Sequence, residues 1–169
     1  MASPIVTLRP LEEADLEVLL SHPEEGAVPG RETTPEERRL RLERLVRRSG
    51  GFVDGRLDLA ICVDGRLAGR VDVRRPEGAM PPGVVELGIG LFAEARGRGV
   101  GSRAIELLVE QLLADPEMHR IQASTALDNA AMRTVLERTG FAFEGVMRAF
   151  MPDGHGGRED YALYALTRR

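Results

Sequence analysis

Apolar positions fall in short alternating or continuous runs at the start, middle and end of the chain, and between these runs they recur every three to four residues. The first pattern marks strands and the second marks helices with one buried face. It predicts a strand at Ile5–Leu8, closed by Arg9–Pro10, and a short helix from Asp15 to Leu20 behind Glu12 and Glu13. Residues 21–32, rich in Pro, Gly and Glu, read as a loop. Thr34 then offers an N-cap, Pro35 the first helical position and Glu37 the partner of a capping box. That helix runs to about Arg48 and stops at Gly50–Gly51. Leu57–Val63 and Leu67–Arg74 read as strands, and Asp64–Gly65 between them is a tight-hairpin signal. After a Pro- and Gly-rich connection at 75–83, Val84 to Phe92 reads as a fourth strand. The next helix carries Ala104, Ile105, Leu108, Val109 and Leu112 on one face and ends at Asp115–Pro116. Arg120–Ala126 is a fifth strand and Asn129 to Arg138 a helix, with Gly140 where a left-handed C-cap belongs. Phe141–Phe150 and Asp160–Leu166 form a final strand pair around the loop 151–158. Helices inserted among strands in this order make the class α+β, or mixed α/β.

Length and composition narrow the function classes. A chain of 169 residues is expected to form a single domain, 1–169, with a sizeable core. Cys62 is the only cysteine and lies in an apolar run, so no intramolecular disulfide and no cysteine-based zinc site is expected. No metal is called for. The amino terminus lacks a signal-peptide pattern and no run is long enough to span a membrane, so a cytoplasmic location without a membrane partner is expected. The net charge is -4 with acids and arginines interspersed, which argues against a nucleic-acid partner. Oligomeric state is left open, a homodimer included.

The stretch Arg96-Gly97-Arg98-Gly99-Val100-Gly101-Ser102 joins the fourth strand to its helix. A glycine-rich turn feeding a helix leaves backbone N–H groups unpaired and pointing one way, and the helix dipole adds partial positive charge, so the site favours phosphate. It is not a Walker loop, because the chain contains no lysine. Nor do the alternating Gly97, Gly99 and Gly101 fit the dinucleotide fingerprint. What remains is R-x-x-G-x-G; a glycine-rich connection that binds nothing is the alternative reading.

Two segments together resemble the GNAT superfamily of acyl-CoA-dependent N-acetyltransferases. One is the strand, R-x-x-G-x-G turn and helix; the other is Asn129 to Phe141, similar to the family's N-x-x-(small)-x-x-V-L-E-(K/R)-x-G-F segment. Further matches are similar to the Rim-type branch, which acetylates ribosomal-protein amino termini. These are Leu8-Arg9-Pro10-Leu11 with Asp15, Glu86-Leu87-Gly88, Glu144-Gly145-x-x-Arg148, and Gly157-x-x-Asp160-x-x-x-Tyr164-x-Leu166. The resemblance covers nearly the whole chain. It implies a central, mostly antiparallel sheet of six to seven strands, splayed between strands 4 and 5 and flanked by about four helices.

The resemblance also implies a site. The turn Arg96, Gly97, Arg98, Gly99, Val100, Gly101 and Ser102 would bind the pyrophosphate of acetyl-CoA, and backbone groups near Leu91 and Phe92 would pair with its pantetheine arm where the fourth strand splays at a bulge. Asn129 would hydrogen-bond that arm, with an N-cap as its equally physical alternative, and Met132 would line the pocket. Gly88 and Gly90 suit a bulge or a close backbone approach. Glu86 is the candidate base. Strand alternation sets it with Gly88 and Gly90 on one face, leaving room for a substrate, although a solvated strand charge has the same signature. At pH 7 deprotonating a lysine amine costs about 4.6 kcal/mol, and an α-amino group only about 1–1.4 kcal/mol. A base therefore matters less for peptide amino termini.

Where many relatives carry a tyrosine or serine to protonate the departing thiolate, this chain has Leu136 and Met132. Thr134 and Tyr164 are the substitutes at hand, or the thiolate leaves unassisted. His22 and His155 fall in the two loops the family uses as acceptor walls, His119 reads as structural, and Glu24, Glu25 and Glu32 would suit a cationic acceptor. The expected activity is acetyl transfer to a primary amine, of a protein or peptide terminus or a small molecule, by direct attack. A non-catalytic CoA-binding module and a longer acyl-CoA donor are the alternatives.

Overall fold

The computed structural model describes residues 4–26, 32–75, 78 and 80–168. Parts of both predicted connections, 27–31 and 76, 77 and 79, lie outside the described residues, as do both chain ends. The elements are β1 (Val6–Arg9), α1 (Asp15–Ser21), α2 (Pro35–Arg48), β2 (Arg56–Val63), β3 (Arg66–Arg74) and β4 (Val84–Leu91). A 3-10 turn at Ala93–Ala95 leads to α3 (Val100–Leu113), β5 (Arg120–Ala126), α4 (Ala130–Arg138), β6 (Ala142–Pro152) and β7 (Arg158–Thr167).

The seven strands form one sheet in the order β1-β2-β3-β4-β5-β7-β6. Each neighbouring pair is antiparallel except β4 and β5, whose parallel pairing needs the crossover that α3 supplies. That parallel register runs only from Val84↔Arg120 to Leu87↔Ala123, whereas β4 stays paired with β3 as far as Leu91↔Gly69. The sheet is therefore split between β4 and β5, as the resemblance implies. The expected bulge at this point is absent, for the β3–β4 register is continuous; the shift lies between β2 and β3, at Ile61/Cys62.

Local signals explain the boundaries. Thr34 accepts from the Glu37 N–H and the Glu37 carboxylate accepts from the Thr34 N–H, closing the capping box that starts α2. The β2–β3 turn holds Asp64 and Gly65 at φ 50° and 79°, the left-handed pair that matches strand twist. Arg9 clasps Asp15 with two hydrogen bonds of 2.7 and 2.8 Å, and Asp15 also accepts from the Glu12 N–H, which ties α1 to β1. The last two strands run further than predicted. After a register shift between Met147 and Met151, the pairs Met151↔Glu159 and Pro152↔Arg158 lengthen the hairpin, and Asp160 accepts from the Ala149 N–H beside the shift.

Helices cover both faces. Ile105, Leu108 and Leu136 of α3 and α4 bury against Val85, Leu87 and Ile121; on the other face Leu19 and Leu42 of α1 and α2 pack with Ala60, Cys62 and Phe92. Each such large side chain is worth about 1.5–3 kcal/mol on burial. β2 lies beneath both layers, so its burial is unbroken from Leu57 to Cys62 and includes the charged Asp58.

Candidate functional site

The turn between β4 and α3 has the geometry of an anion cradle. Gly97 and Gly99 sit at φ 70° and 79°, with open space where a Cβ would stand. Among the described residues, no acceptor meets the backbone N–H groups from Gly97 to Ser102; the first to be satisfied is Arg103, which donates to the Gly99 carbonyl at 3.1 Å. Six consecutive donors at the N-terminus of a fourteen-residue helix present partial positive charge to one space. Arg98 and Arg103 are exposed beside them, Arg103 paired with Glu106 at 3.1 Å.

That space opens into a cleft of about 430 Å³ between the end of β4, the start of α3 and α4. Of the residues expected to hold a cofactor, Leu91, Arg96, Gly97, Gly99, Gly101, Ser102, Asn129 and Met132 line it. Ile89, Thr134, Val135 and Arg138 line it too, of which Ile89 and Val135 are legible from strand and helix periodicity. Phe92 does not belong to this set: it is buried against α1 and α2, its N–H donates to the Ala68 carbonyl at 2.9 Å and its carbonyl accepts from Ala95 at 3.0 Å. Val100 turns its side chain into the core and Arg98 is exposed, so neither side chain lines the cleft.

The backbone along the split is partly free. Because the Phe92 N–H bonds to β3, antiparallel alternation turns the N–H and C=O of Ile89 and Leu91 toward the side that β5 vacates after Ala123. The Leu91 carbonyl, expected to be available, is not: Arg96 Nε donates to it at 2.9 Å. Asn129 is the N-cap of α4, accepting from the Met132 N–H at 3.1 Å through Oδ1. Its amide nitrogen has no partner among the described residues and lies at the cleft.

Glu86 lies at the vertex of the split, on the other face of β4. It is half-buried; Ser124 Oγ donates to its Oε1 at 3.0 Å and Arg74 Nη2 stands 3.6 Å from the same oxygen. The glycines beside it do not leave the empty strip that alternation suggests. A Cβ on Gly88 would come within 2.6 Å of Asp72 Oδ1, and one on Gly90 would meet Glu25 Oε1 at 3.5 Å, so carboxylates of the chain itself occupy that room.

This face carries a dense ion network. Asp58 is fully buried and accepts from Arg48 at 3.0 Å; Asp72 accepts from Arg56 at 3.2 Å; Arg70 donates to Glu25 at 2.6 Å. Glu25 is thus spent on Arg70 and is not free for a cationic acceptor, while Glu24 and Glu32 stay exposed. Arg38 fixes the loop that carries Glu25 by donating to the carbonyls of Leu19, Leu20, His22 and Glu25. A polar cavity of about 580 Å³ lies between α2 and this network, with Arg41, Arg44 and Arg48 along its helical wall.

The substitutes for a thiolate acid are not available. Tyr164 is fully buried, donates to Glu137 at 2.9 Å and accepts from Arg133 at 3.1 Å. Thr134 lines the cleft but gives its hydroxyl proton to the Ala130 carbonyl at 2.9 Å. Tyr161, on the opposite face of β7 from Tyr164, has its phenol pushed up by burial and by Glu159 and Asp128, so it stays protonated. His22 stacks on Phe92 at 3.5 Å, with Nδ1 on the Val18 carbonyl and Nε2 3.4 Å from Glu94. Acceptors at both nitrogens, the Val18 carbonyl foremost, raise its pKa. His119 and His155 are exposed.

Residues 6–142 match the acetyltransferase (GNAT) domain family. The chain belongs to the GNAT family. YdaF of Bacillus subtilis (strain 168), provisionally named a ribosomal N-acetyltransferase, is 27% identical over 116 residues, which is 67% of this chain and 60% of YdaF. This chain's match thus covers less than two thirds of that relative's length. Among solved structures, RimJ of Mycobacterium smegmatis, in complex with CoA-disulfide, superposes with a TM-score of 0.75 at 22% identity, covering 96% of this chain and 81% of RimJ. The ribosomal-protein-S5-alanine acetyltransferase of Vibrio fischeri gives 0.75 at 20% identity, covering 98% and 97%. These two likenesses establish the GNAT fold, and the names of the three relatives agree with the Rim-type resemblance. Among the described residues, no group of three or more His, Cys, Asp or Glu could hold a metal ion, and no helix is long and apolar enough to cross a membrane.

Proposed function

We propose that this chain transfers the acetyl group of acetyl-CoA to a primary amine by direct attack, with Glu86 as the base. The observation that carries the reading is the row of unpaired N–H groups from Gly97 to Ser102 at the open end of the β4–β5 split. It suits a pyrophosphate, and the residues present fit acetyl-CoA. The N–H groups would hold the pyrophosphate, the Ile89 backbone and the Asn129 amide would hold the pantetheine arm, and Met132 would pack beside it.

Acetyl-CoA supplies an activated acetyl thioester. Glu86 lies one residue before the last β4–β5 pair, Leu87↔Ala123, and in this reading the acetyl group would be carried to it where the two strands part. There Glu86 takes a proton from the incoming ammonium and leaves a neutral amine; the cost it offsets is about 1–1.4 kcal/mol for an α-amino group at pH 7. The neutral nitrogen attacks the thioester carbonyl and the C–S bond breaks; the thiolate, with a thiol pKa near 8.5, leaves unassisted, and the surplus proton on the acylated nitrogen passes to solvent. A protein or peptide amino terminus is the acceptor favoured here, because the relatives are named for ribosomal proteins and because the α-amine demands least of the base. Competition between peptides with a free α-amine and blocked peptides bearing only lysine tests the choice. Acetylation of the free α-amine first is expected, and equal or preferred labelling of lysine would overturn it.

A further inference from the structure

The groups that hold Glu86 come from two different strands. Ser124 is the first β5 residue beyond the last β4–β5 pair, Leu87↔Ala123. Its hydroxyl crosses the vertex of the split to donate to Glu86 Oε1 at 3.0 Å. Arg74, register partner of Glu86 on β3, brings Nη2 to 3.6 Å from the same oxygen. Arg74 is itself held, with Nε 3.2 Å from Asp72 Oδ2, and Asp72 is fixed by Arg56 at 3.2 Å. Asp72 occupies its place because Gly88 has no side chain. The Ser124 hydroxyl as donor and the Arg74 guanidinium as ion-pair partner therefore converge on Oε1, while Oε2 has no hydrogen-bond partner among the described residues.

We infer that Ser124 is a positioning residue for acetyl transfer: its hydrogen bond, backed by Arg74, pins Oε1 of Glu86 and leaves Oε2 as the oxygen that takes the proton from the amine. This rests on the reading of Glu86 as the base. A carboxylate free to rotate would share both oxygens between Arg74 and solvent; one fixed at a single oxygen presents the other in one direction. Ser124 does not touch the substrate's reacting atoms, and no bond in it is made or broken.

A double-mutant cycle tests the inference, with acetyl-CoA and the fastest amine of a panel. Ser124→Ala is expected to lower kcat about tenfold, the worth of one hydrogen bond, with KM for acetyl-CoA unchanged. Ser124→Thr, which keeps the hydroxyl, is expected to restore kcat. In a Glu86→Gln background, Ser124→Ala is expected to change kcat less than about twofold, since residues acting as one unit are not additive. Equal losses in both backgrounds, or failure of Ser124→Thr to restore a correctly folded enzyme, would overturn the positioning role and leave Glu86 as base. If Glu86→Gln alone left kcat unchanged, the base reading would fall, and the positioning role with it.

Discussion

Arg96 Nε donates to the Leu91 carbonyl at 2.9 Å, tying the last residue of β4 to the first residue of the glycine turn. The guanidinium is thus engaged by the protein before any phosphate arrives. Its fixed fork ties the turn to the strand, and Arg96 still lines the cleft. Replacing Arg96 by alanine is expected to raise KM for acetyl-CoA about tenfold, the loss of one charge-assisted contact, with KM for the amine unchanged. Initial-rate kinetics with each substrate varied separately checks this; an equal rise in both KM values would speak for general disorder of the site.

Gly99 is favoured by conformation, since the space beside it is open. At φ 79° a side chain costs about 1–2 kcal/mol of strain and would project into the cradle. Gly99→Val is therefore expected to lower the thermal midpoint and to raise the Kd for acetyl-CoA at least about tenfold. Calorimetric titration checks the second effect separately from the first, and an unchanged Kd would remove the cradle from cofactor binding.

Asn129 can serve the helix cap and the proposed cofactor contact with different atoms. Oδ1 caps α4, the amide nitrogen has no partner among the described residues, and the residue lines the cleft. Asn129→Asp keeps the cap and loses the donor; Asn129→Ala loses both. The first is expected to raise KM for acetyl-CoA at constant thermal midpoint, and the second to cost about 1 kcal/mol of stability as well. Paired melting and kinetic measurements distinguish them.

Asp15 gives the fold an acid-sensitive clasp. Burial would raise its pKa, but the two hydrogen bonds from Arg9 and the one from the Glu12 N–H outweigh burial and lower it below the usual 3.8. A depressed carboxyl contributes stability above its unfolded pKa and loses it as pH falls through the folded value. Asp15→Asn is expected to cost about 1.5–3 kcal/mol near neutral pH, for it removes the charge from the pair of hydrogen bonds that Arg9 makes. The difference from the wild type should shrink below about pH 4, as denaturant melts at several pH values would show. A difference independent of pH would mean that the clasp holds by shape alone.

The local parts of this structure were legible because their signals are local. Thr34 with Glu37, Asp64 with Gly65, and Asn129 each announce a cap or turn within a few residues, and all three form. The glycine turn was legible for the same reason. What sequence pattern could not supply is pairing over distance. Ser124 meets Glu86 across 38 positions, and Asp72 fills the space that Gly88 vacates. Alternation alone made that space look open to substrate. Tyr164 looked available as an acid because periodicity does not reveal that Glu137 and Arg133 close around its hydroxyl. Phe92 followed Leu91 in the apolar run but turned to the opposite layer, as period-two geometry requires of neighbours in a strand.

The central claim, acetyl transfer through this cleft to a primary amine, meets its most direct test in an amine panel incubated with acetyl-CoA. The panel would hold peptides with free amino termini, polyamines and small amines, read by mass spectrometry together with free-thiol release. The expected result is one added acetyl group on a primary amine, matched by an equal amount of CoA thiol and lost in Gly99→Val. Tight binding of acetyl-CoA with no acetylated amine, and thiol release no faster than in buffer, would contradict it.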